Sequence, residues 1–461
     1  MQPEFIEISK KCKVKLTFTD KKITSYGGLS VIAKLFEKLD FQSVIEQAVP
    51  FLETSPNGTG VFAKVLRFGL TVLVGGKRFT HSSFLGDSME IFEELFSVRR
   101  IPQSITSLTR FFERFVHWWQ VEHLSEILWD FTADHLIPFK KLKEDFIGFD
   151  SSVLTRYGDQ QGTAKGYNPK KPGRPSHHPI CAFLTNGDFI LNLWNRPGNV
   201  QSRHNIIDFA KQTFTRVQER IKVLGVLADS GFYDVAFFEF LELIGVPYII
   251  AVVTSQTIQR EIAKISDWRV VTSGIHAASF MFQHQDEKWL KPRRYVVIRK
   301  DHELRPEALG KQLDLFGTPA DMQYRYSTYI TSLDSEDWPE EKVWEQYKKR
   351  AGDENIFREI KYDFAFEGFV LDGFWATEAT MLFKVLFYNL IQFFRSEILK
   401  DKDQQSTLHT IRHKILVIPA ILGQNGSRLC LRLGIRNEKK KSKIKTMFAE
   451  IEAYFLILQT P

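Results

Sequence analysis

From residue 145 onward, apolar runs and helical patterns follow one another in an order that few architectures satisfy. Phe146-Ile-Gly-Phe-Asp-Ser-Ser-Val-Leu reads as a strand, and His178-Pro-Ile-Cys-Ala-Phe-Leu-Thr and Phe189-Ile-Leu-Asn-Leu-Trp read as two more. Between the last two lies Asn186-Gly187, a strong hairpin signal because both residues tolerate the positive φ of a tight turn. A helical run follows from Arg203 to Glu219, then the apolar strand Lys222-Val-Leu-Gly-Val-Leu-Ala-Asp229. A second helical run, Val235 to Leu243, leads into Pro247-Tyr-Ile-Ile-Ala-Val-Val.

Three strands with an antiparallel hairpin, then helix, strand, helix, strand, is the order of an RNase H-like core. In such a sheet the first and fourth strands are neighbours, so Asp150 and Asp229, each at a strand end, are expected to meet. An aspartate at a strand end is, taken alone, as readily a cap or turn former. The expected fold class is α/β. An RNase H-like catalytic core (141–255 and 341–400) is interrupted by a β-rich insertion at 256–340. A helical region at 1–140 precedes it and a basic helical segment at 401–461 follows.

In the first region, amphipathic runs span Leu29 to Leu39, Val61 to Val74 and Thr106 to Trp119, after a strand-like Val14 to Phe18. Ser104-Ile-Thr-Ser-Leu-Thr-Arg opens with helix-capping hydroxyls, and Pro102 fits a turn just before it. This pattern suits the second helix of a helix-turn-helix, and equally a three-helix packing that touches no DNA. The insertion carries Ile275 to Gln283, Arg293-Arg-Tyr-Val-Val-Ile-Arg and an alternating run at Gln323 to Thr331, and helical pattern returns at Glu340 and again from Ala376 to Leu399.

Charge narrows the partners. The 461 residues hold 62 Lys and Arg against 55 Asp and Glu, a net +7 that favours a polyanion over an acidic protein. Cys12, Cys181 and Cys430 are far apart and form no CxxC pair, so a cysteine zinc site or disulfide framework is not expected and a reducing compartment is. The N-terminal stretch lacks an apolar signal core, and the most apolar long run, Met381 to Phe394, is too short to span a bilayer and contains Lys384. No membrane crossing is expected.

A third acid comes from Trp344-Glu-Gln-Tyr-Lys-Lys-Arg-Ala-Gly-Asp-Glu-Asn-Ile-Phe-Arg-Glu-Ile-Lys361. On a continuous helix at about 100° per residue, Tyr347, Arg350, Glu354 and Lys361 share an arc of about 60°, while Asp353 and Glu359 point elsewhere. One face would present a carboxylate, two cations and a phenol. Geometry alone also allows a solvated face laced with i,i+3 and i,i+4 pairs.

The spacing Tyr347-x2-Arg350-x3-Glu354-x6-Lys361 resembles the YREK signature of bacterial insertion-sequence transposases of the DDE class. Asp150-Ser-Ser resembles that family's first-aspartate block, and Leu227-Ala-Asp229-Ser-Gly-Phe-Tyr its second; Gly162-Thr-Ala-Lys-Gly-Tyr-Asn-Pro and Arg196-Pro-Gly-Asn199 resemble its intervening segments. The blocks stand in order over 145–365, with the β-rich stretch where these transposases carry an insertion domain. The resemblance implies cut-and-paste transposition, with Asp150, Asp229 and Glu354 as ligands of two Mg²⁺ ions, for which Mn²⁺ substitutes. It further implies phosphate contacts from Arg350 and Lys361, and from Tyr347 near the 5′ phosphate. Partners implied are double-stranded DNA, as terminal inverted repeats and target, and a second copy in a homodimeric synaptic complex. A bacterial cytoplasmic, nucleoid-associated location follows.

Several relatives of that family stack a flipped base on a tryptophan of the insertion. Trp268 and Trp289 are the candidates here, and each could equally be core. The Gly/Pro-rich stretch Lys165 to His178, with Lys165, Lys170, Lys171 and Arg174, suits a phosphate backbone or a solvated loop. His177 and His178 have no further ligand at metal spacing, which favours a structural or phosphate-contacting role. The run Lys439 to Lys445 is a DNA contact or a solvated helix face. Two other classes remain open: an RNase H-fold nuclease or resolvase, and a transposase-derived DNA-binding protein without catalysis. Strand transfer separates the first from a transposase; loss of an acid would have marked the second, and none is lost.

Overall fold

The computed structural model describes residues 6–8, 11, 13–52, 58–169, 171–301 and 324–459, and the chain divides into two compact units. The larger comprises Phe112–Tyr362 with Phe366–Phe393, and the smaller comprises residues up to Phe111, Asp363–Ala365 and Phe394 onward.

The larger unit is built on a mixed nine-stranded sheet. Its strands in chain order are β1 (Glu144–Ser151), β2 (Ile180–Leu184), β3 (Ile190–Trp194), β4 (Lys222–Ala228), β5 (Tyr248–Ala251), β6 (Arg269–Thr272), β7 (Ile275–Phe282), β8 (Arg293–Asp301) and β9 (Tyr324–Thr331). Across the sheet the order is β6-β7-β8-β9-β5-β4-β1-β2-β3. Only β1, β4 and β5 run parallel to one another, joined by α1 (Ile206–Val217) and α2 (Val235–Leu243). These central strands read as nearly unbroken apolar runs because both faces are covered, as parallel strands require.

The β-rich region does not form a sheet of its own. Its last strand, β9, pairs antiparallel with β5, so the meander β6–β9 continues the central sheet. One buried cluster accordingly draws Phe146 of β1, Leu227 of β4, Ile249 of β5, Val296 of β8, Tyr329 of β9 and Trp344 together. The region opens with a helix, Gln256–Ala263, capped by the Ser255 hydroxyl, where the sequence reading had only strands.

The helical stretch after Glu340 differs from its sequence reading. It is two helices, α3 (Glu340–Lys348) and α4 (Ala351–Asp363), parted by a turn at Lys349 and Arg350. Shorter backbone bonds, Arg350 N–H to Tyr347 O and Gly352 N–H to Lys349 O, tighten the chain there, and Gly352 follows at a position with poor helix propensity. The single-helix arithmetic for Tyr347, Arg350, Glu354 and Lys361 therefore does not hold. The run Thr106 to Trp119 is likewise divided, into Ile105–Phe112 and Trp118–Phe131, because the Gln120 side chain accepts from the Val116 and His117 amides and starts a new helix. A last helix of this unit, α5 (Phe374–Phe393), is buried along almost its whole length.

The smaller unit is mostly helical, and its C-terminal part corrects the expectation of a purely helical segment. Ala420–Asn425 and Arg428–Leu433 form a hairpin whose first strand also pairs with Ile23–Thr24. Asn425-Gly426, with Gly426 at φ +62°, is the same turn signal that marks residues 186–187. The Lys439–Lys445 run lies on Glu438–Gln459, where Lys441 pairs with Glu438 and Lys443 with Asp403. Among the described residues no helix is long and apolar enough to cross a membrane.

Candidate active site

The parallel pairing of β1 with β4 sets Phe149 opposite Ala228, so Asp150, still within β1, and Asp229, just past the end of β4, come side by side. Asp150 Oδ1 accepts from the Ser151 amide at 2.8 Å within β1, and Asp229 Oδ1 from the Gly231 amide at 2.8 Å in the turn after β4, which fixes each carboxylate to its own backbone. Asp150 is the strained member. Burial pushes its carboxyl up to about 7, the Asp229 charge adds to the rise, and the Arg350 guanidinium opposes it.

Arg350, in the turn between α3 and α4, links the third acid to this pair. Its Nη2 donates to Glu354 Oε1 at 2.7 Å and its Nη1 lies 3.7 Å from Asp150 Oδ2. Burial works against the guanidinium charge, but Tyr347 and the three carboxylates outweigh it and hold the arginine firmly protonated. Tyr347 lies under the guanidinium, 5.5 Å from ring centre to Cζ, and packs on Tyr329 at 4.5 Å. Burial pushes its phenol up to about 12, so it stays a neutral hydroxyl. Lys361 reaches across from α4 to the Val153 carbonyl at 3.4 Å, with Glu367 at 3.8 Å.

The donor set suits a hard divalent cation: oxygen ligands only, with two carboxylates whose mutual repulsion such an ion relieves. Among the described residues no three acids, cysteines or histidines are already gathered at coordinating distance. Glu354 is turned to Arg350 instead, with 61% of its side chain exposed.

The family model for the transposase DDE domain, group 1, matches residues 6–454. The chain belongs to that family. No curated protein matches it in sequence. Among solved structures it is similar to a piggyBac transposase in a synaptic complex with hairpin DNA, seen by cryo-EM; the identity is 12% and the TM-score 0.43, over 95% of this chain and 83% of that one.

The other sequence candidates of this DDE chain fall in different places. Lys165, Lys171 and Arg174 are exposed around a small sheet of Leu154–Thr155, Pro175–His177 and Ala164–Lys165, whereas Lys170 lies outside the described residues. Trp289 packs on Tyr233 and Phe238, with the Arg293 guanidinium 5.3 Å from its ring, and so borders the turn that follows Asp229. Trp268 sits toward the other end of β8, against Arg299 and Tyr326. The histidines are structural: His177 accepts from Arg156 Nε and bonds the Gln161 carbonyl, and burial takes it down to about 4, while His178 Nδ1 bonds the Val200 carbonyl.

Sequence reasoning missed Ser151 and Ser202. Their hydroxyls meet at 2.7 Å, and a Cβ on Gly231 would come within 2.8 Å of Ser202 Oγ, so Ser202 is wedged between the two aspartate turns. Arg196 holds that position by donating to the carbonyls of His178, Ser202 and His204. The signal is Arg196-Pro-Gly-Asn199, whose arginine reaches Ser202 six residues on.

Proposed function

We propose that this chain is the transposase of a bacterial insertion sequence, cutting its element's terminal inverted repeats and joining the freed 3′ ends to target DNA by cut-and-paste. The observation that carries the reading is the convergence of Asp150 and Asp229 on adjacent parallel strands, with Arg350 bridging to Glu354. In this reading 141–255 and 341–400 are an RNase H-like core and 256–340 its β-rich insertion. The region 1–140 recognises the repeat and 401–461 adds basic contacts.

Asp150, Asp229 and Glu354 would hold two Mg²⁺ ions, with Mn²⁺ able to substitute. Bound there, the ions supply Lewis-acid stabilisation of charge for in-line attack on a phosphodiester. Asp150 and Asp229 present their carboxylates from a fixed strand register. Arg350 exchanges Glu354 for a phosphate oxygen pair, for which its planar fork is suited, and so frees the third carboxylate. Lys361 contributes a point charge along the same DNA strand, and Tyr347 supports the guanidinium from below. Two copies would synapse two ends, in the bacterial cytoplasm at the nucleoid.

Incubating the protein with DNA carrying its element's ends, with Mg²⁺ and a supercoiled target, tests this. Cut ends mapping to the repeats and joined products support it. Cleavage without joining makes the chain a nuclease, and binding without cleavage makes it a DNA-binding protein.

A further inference from the structure

The small sheet beside the site has a face that neither the acids nor the signature accounts for. Leu154–Thr155 and Ala164–Lys165 flank Pro175–His177, each antiparallel to it, so the two outer strands run parallel and leave at the same end. At that end stand Tyr157 and Tyr167, each 74% exposed, with Arg174 between their strands and its guanidinium 5.6 Å from the Tyr157 ring centre. Asn168 donates to the Thr155 hydroxyl at 3.0 Å and accepts from the Lys171 amide, which folds the Tyr167 turn over toward the Tyr157 strand. Lys165, Lys171 and Arg174 are exposed on the same small sheet and its loops, and none forms an ion pair with a carboxylate among the described residues.

The support beneath is closely packed. Arg156 is buried, bonded to His177 and to the Glu367 carbonyl. Gly198 is pressed so close that a Cβ would stand 2.0 Å from the Ser176 carbonyl oxygen and 2.5 Å from that of Ala164. Tyr157 is seven residues from Asp150, at most roughly 25 Å along an extended chain. The Lys361 contact at Val153 lies between them.

We propose that this sheet is a stacking platform for unpaired bases of DNA next to the cut end, with Tyr157 and Tyr167 offering ring faces and Lys165, Lys171 and Arg174 holding the backbone. This rests on the reading of the chain as a DNA-cutting enzyme. Cations alone would serve a duplex, whose bases show only their edges and whose faces are already stacked. Two exposed aromatic faces inside a basic rim suit a separated strand, because every base has a face to stack on.

The test uses the full-length protein without divalent metal. Its affinities for a blunt duplex of the repeat and for the same duplex carrying a short single-stranded tail with 2-aminopurine are compared by anisotropy. The wild type should prefer the tailed duplex by about tenfold for each stacked base and quench the aminopurine. Tyr157→Ala with Tyr167→Ala, both at exposed positions, should bind blunt duplex as the wild type does and lose the preference and the quenching. The corresponding double phenylalanine variant should keep both. A tail preference that survives the double alanine change, or equal wild-type affinity for the two DNAs, would overturn the platform. So would loss of the preference in the phenylalanine variant. Cutting with Mg²⁺ is scored separately, so equal binding by a protein that cuts rejects the platform alone, and a tail preference in a protein that never cuts upholds the platform while rejecting the transposase reading.

Discussion

Strand β1 carries two aspartates five residues apart, and the fold uses them in opposite ways. Asp145 is buried and surrounded by donors: the amides of Phe146, Asn186 and Gly187 and the Asn186 side chain. Burial lifts its carboxyl above the ordinary range, and those four bonds work against the rise. Asp150, at the other end, has one amide, a second carboxylate as neighbour and an arginine 3.7 Å away. A structural acid is one whose lone pairs are already satisfied by neutral donors. Asp150 is instead left beside like charge, which a cation would relieve.

The largest expected effect breaks the Asp150 end. Asp150→Ala or Asp229→Ala should lower cleavage by more than about 10³-fold while repeat binding stays near wild type, because on the proposed reading these acids would hold the metal ions and not the DNA. Glu354→Ala should do the same, whereas Glu359→Ala, elsewhere on α4, should cut normally. Metal-dependent cutting by any of the three acid variants would remove that residue from the site.

The Asp145 end should fail differently. Asp145→Ala leaves the Asn186 and Gly187 amides without their acceptor, each unmet donor costing about 1–3 kcal/mol. Thermal melting should fall by several degrees while cleavage below the transition is unchanged. A stable Asp145→Ala protein that cannot cut would mean the two aspartates are not separable.

These two ends also show what was legible in the sequence. Apolar runs closed by Asp150 and Asp229 were readable because strand register is set by local pattern, and two parallel neighbours carry their ends to one edge. The third acid was readable as a spacing but not as a geometry. The helix arithmetic assumed one axis from Tyr347 to Lys361, and the turn at Lys349 and Arg350 changes it. That turn makes Arg350 the pivot between Asp150 and Glu354, which no periodicity reveals. Ser202 was hidden for another reason: its importance lies in contacts with residues about fifty and thirty positions away in the chain. The 420–433 hairpin was legible in Asn425-Gly426, but its two strands are largely exposed or half-buried, so no buried apolar face marks them in the sequence.

The arginine sharpens the comparison at intermediate size. Arg350→Lys keeps the charge beside Asp150 but loses the planar fork that would take a phosphate oxygen pair, so cleavage should drop by about 10–100-fold with a much smaller change in affinity. Single-turnover cutting against binding isotherms measures this. Raising Mg²⁺ or supplying Mn²⁺ should not restore the rate, since the arginine is not a ligand; full rescue by metal would give it a role in holding the ions.

The smallest effect is expected from Lys361. Its ammonium is near the Val153 carbonyl, three residues beyond Asp150, and 3.8 Å from Glu367. As a point charge next to the DNA path it should contribute one phosphate contact. Lys361→Ala should then weaken repeat binding modestly and reduce the slope of log affinity against log salt by about one. Lys361→Arg should keep the slope, because either cation displaces one counterion. An unchanged slope in the alanine variant would make the lysine a clamp between the strand after Asp150 and the Glu367 loop. In that case the loss would appear as a lower melting temperature, with salt dependence intact, and the phosphate contact would fall to Arg350, in the turn before α4.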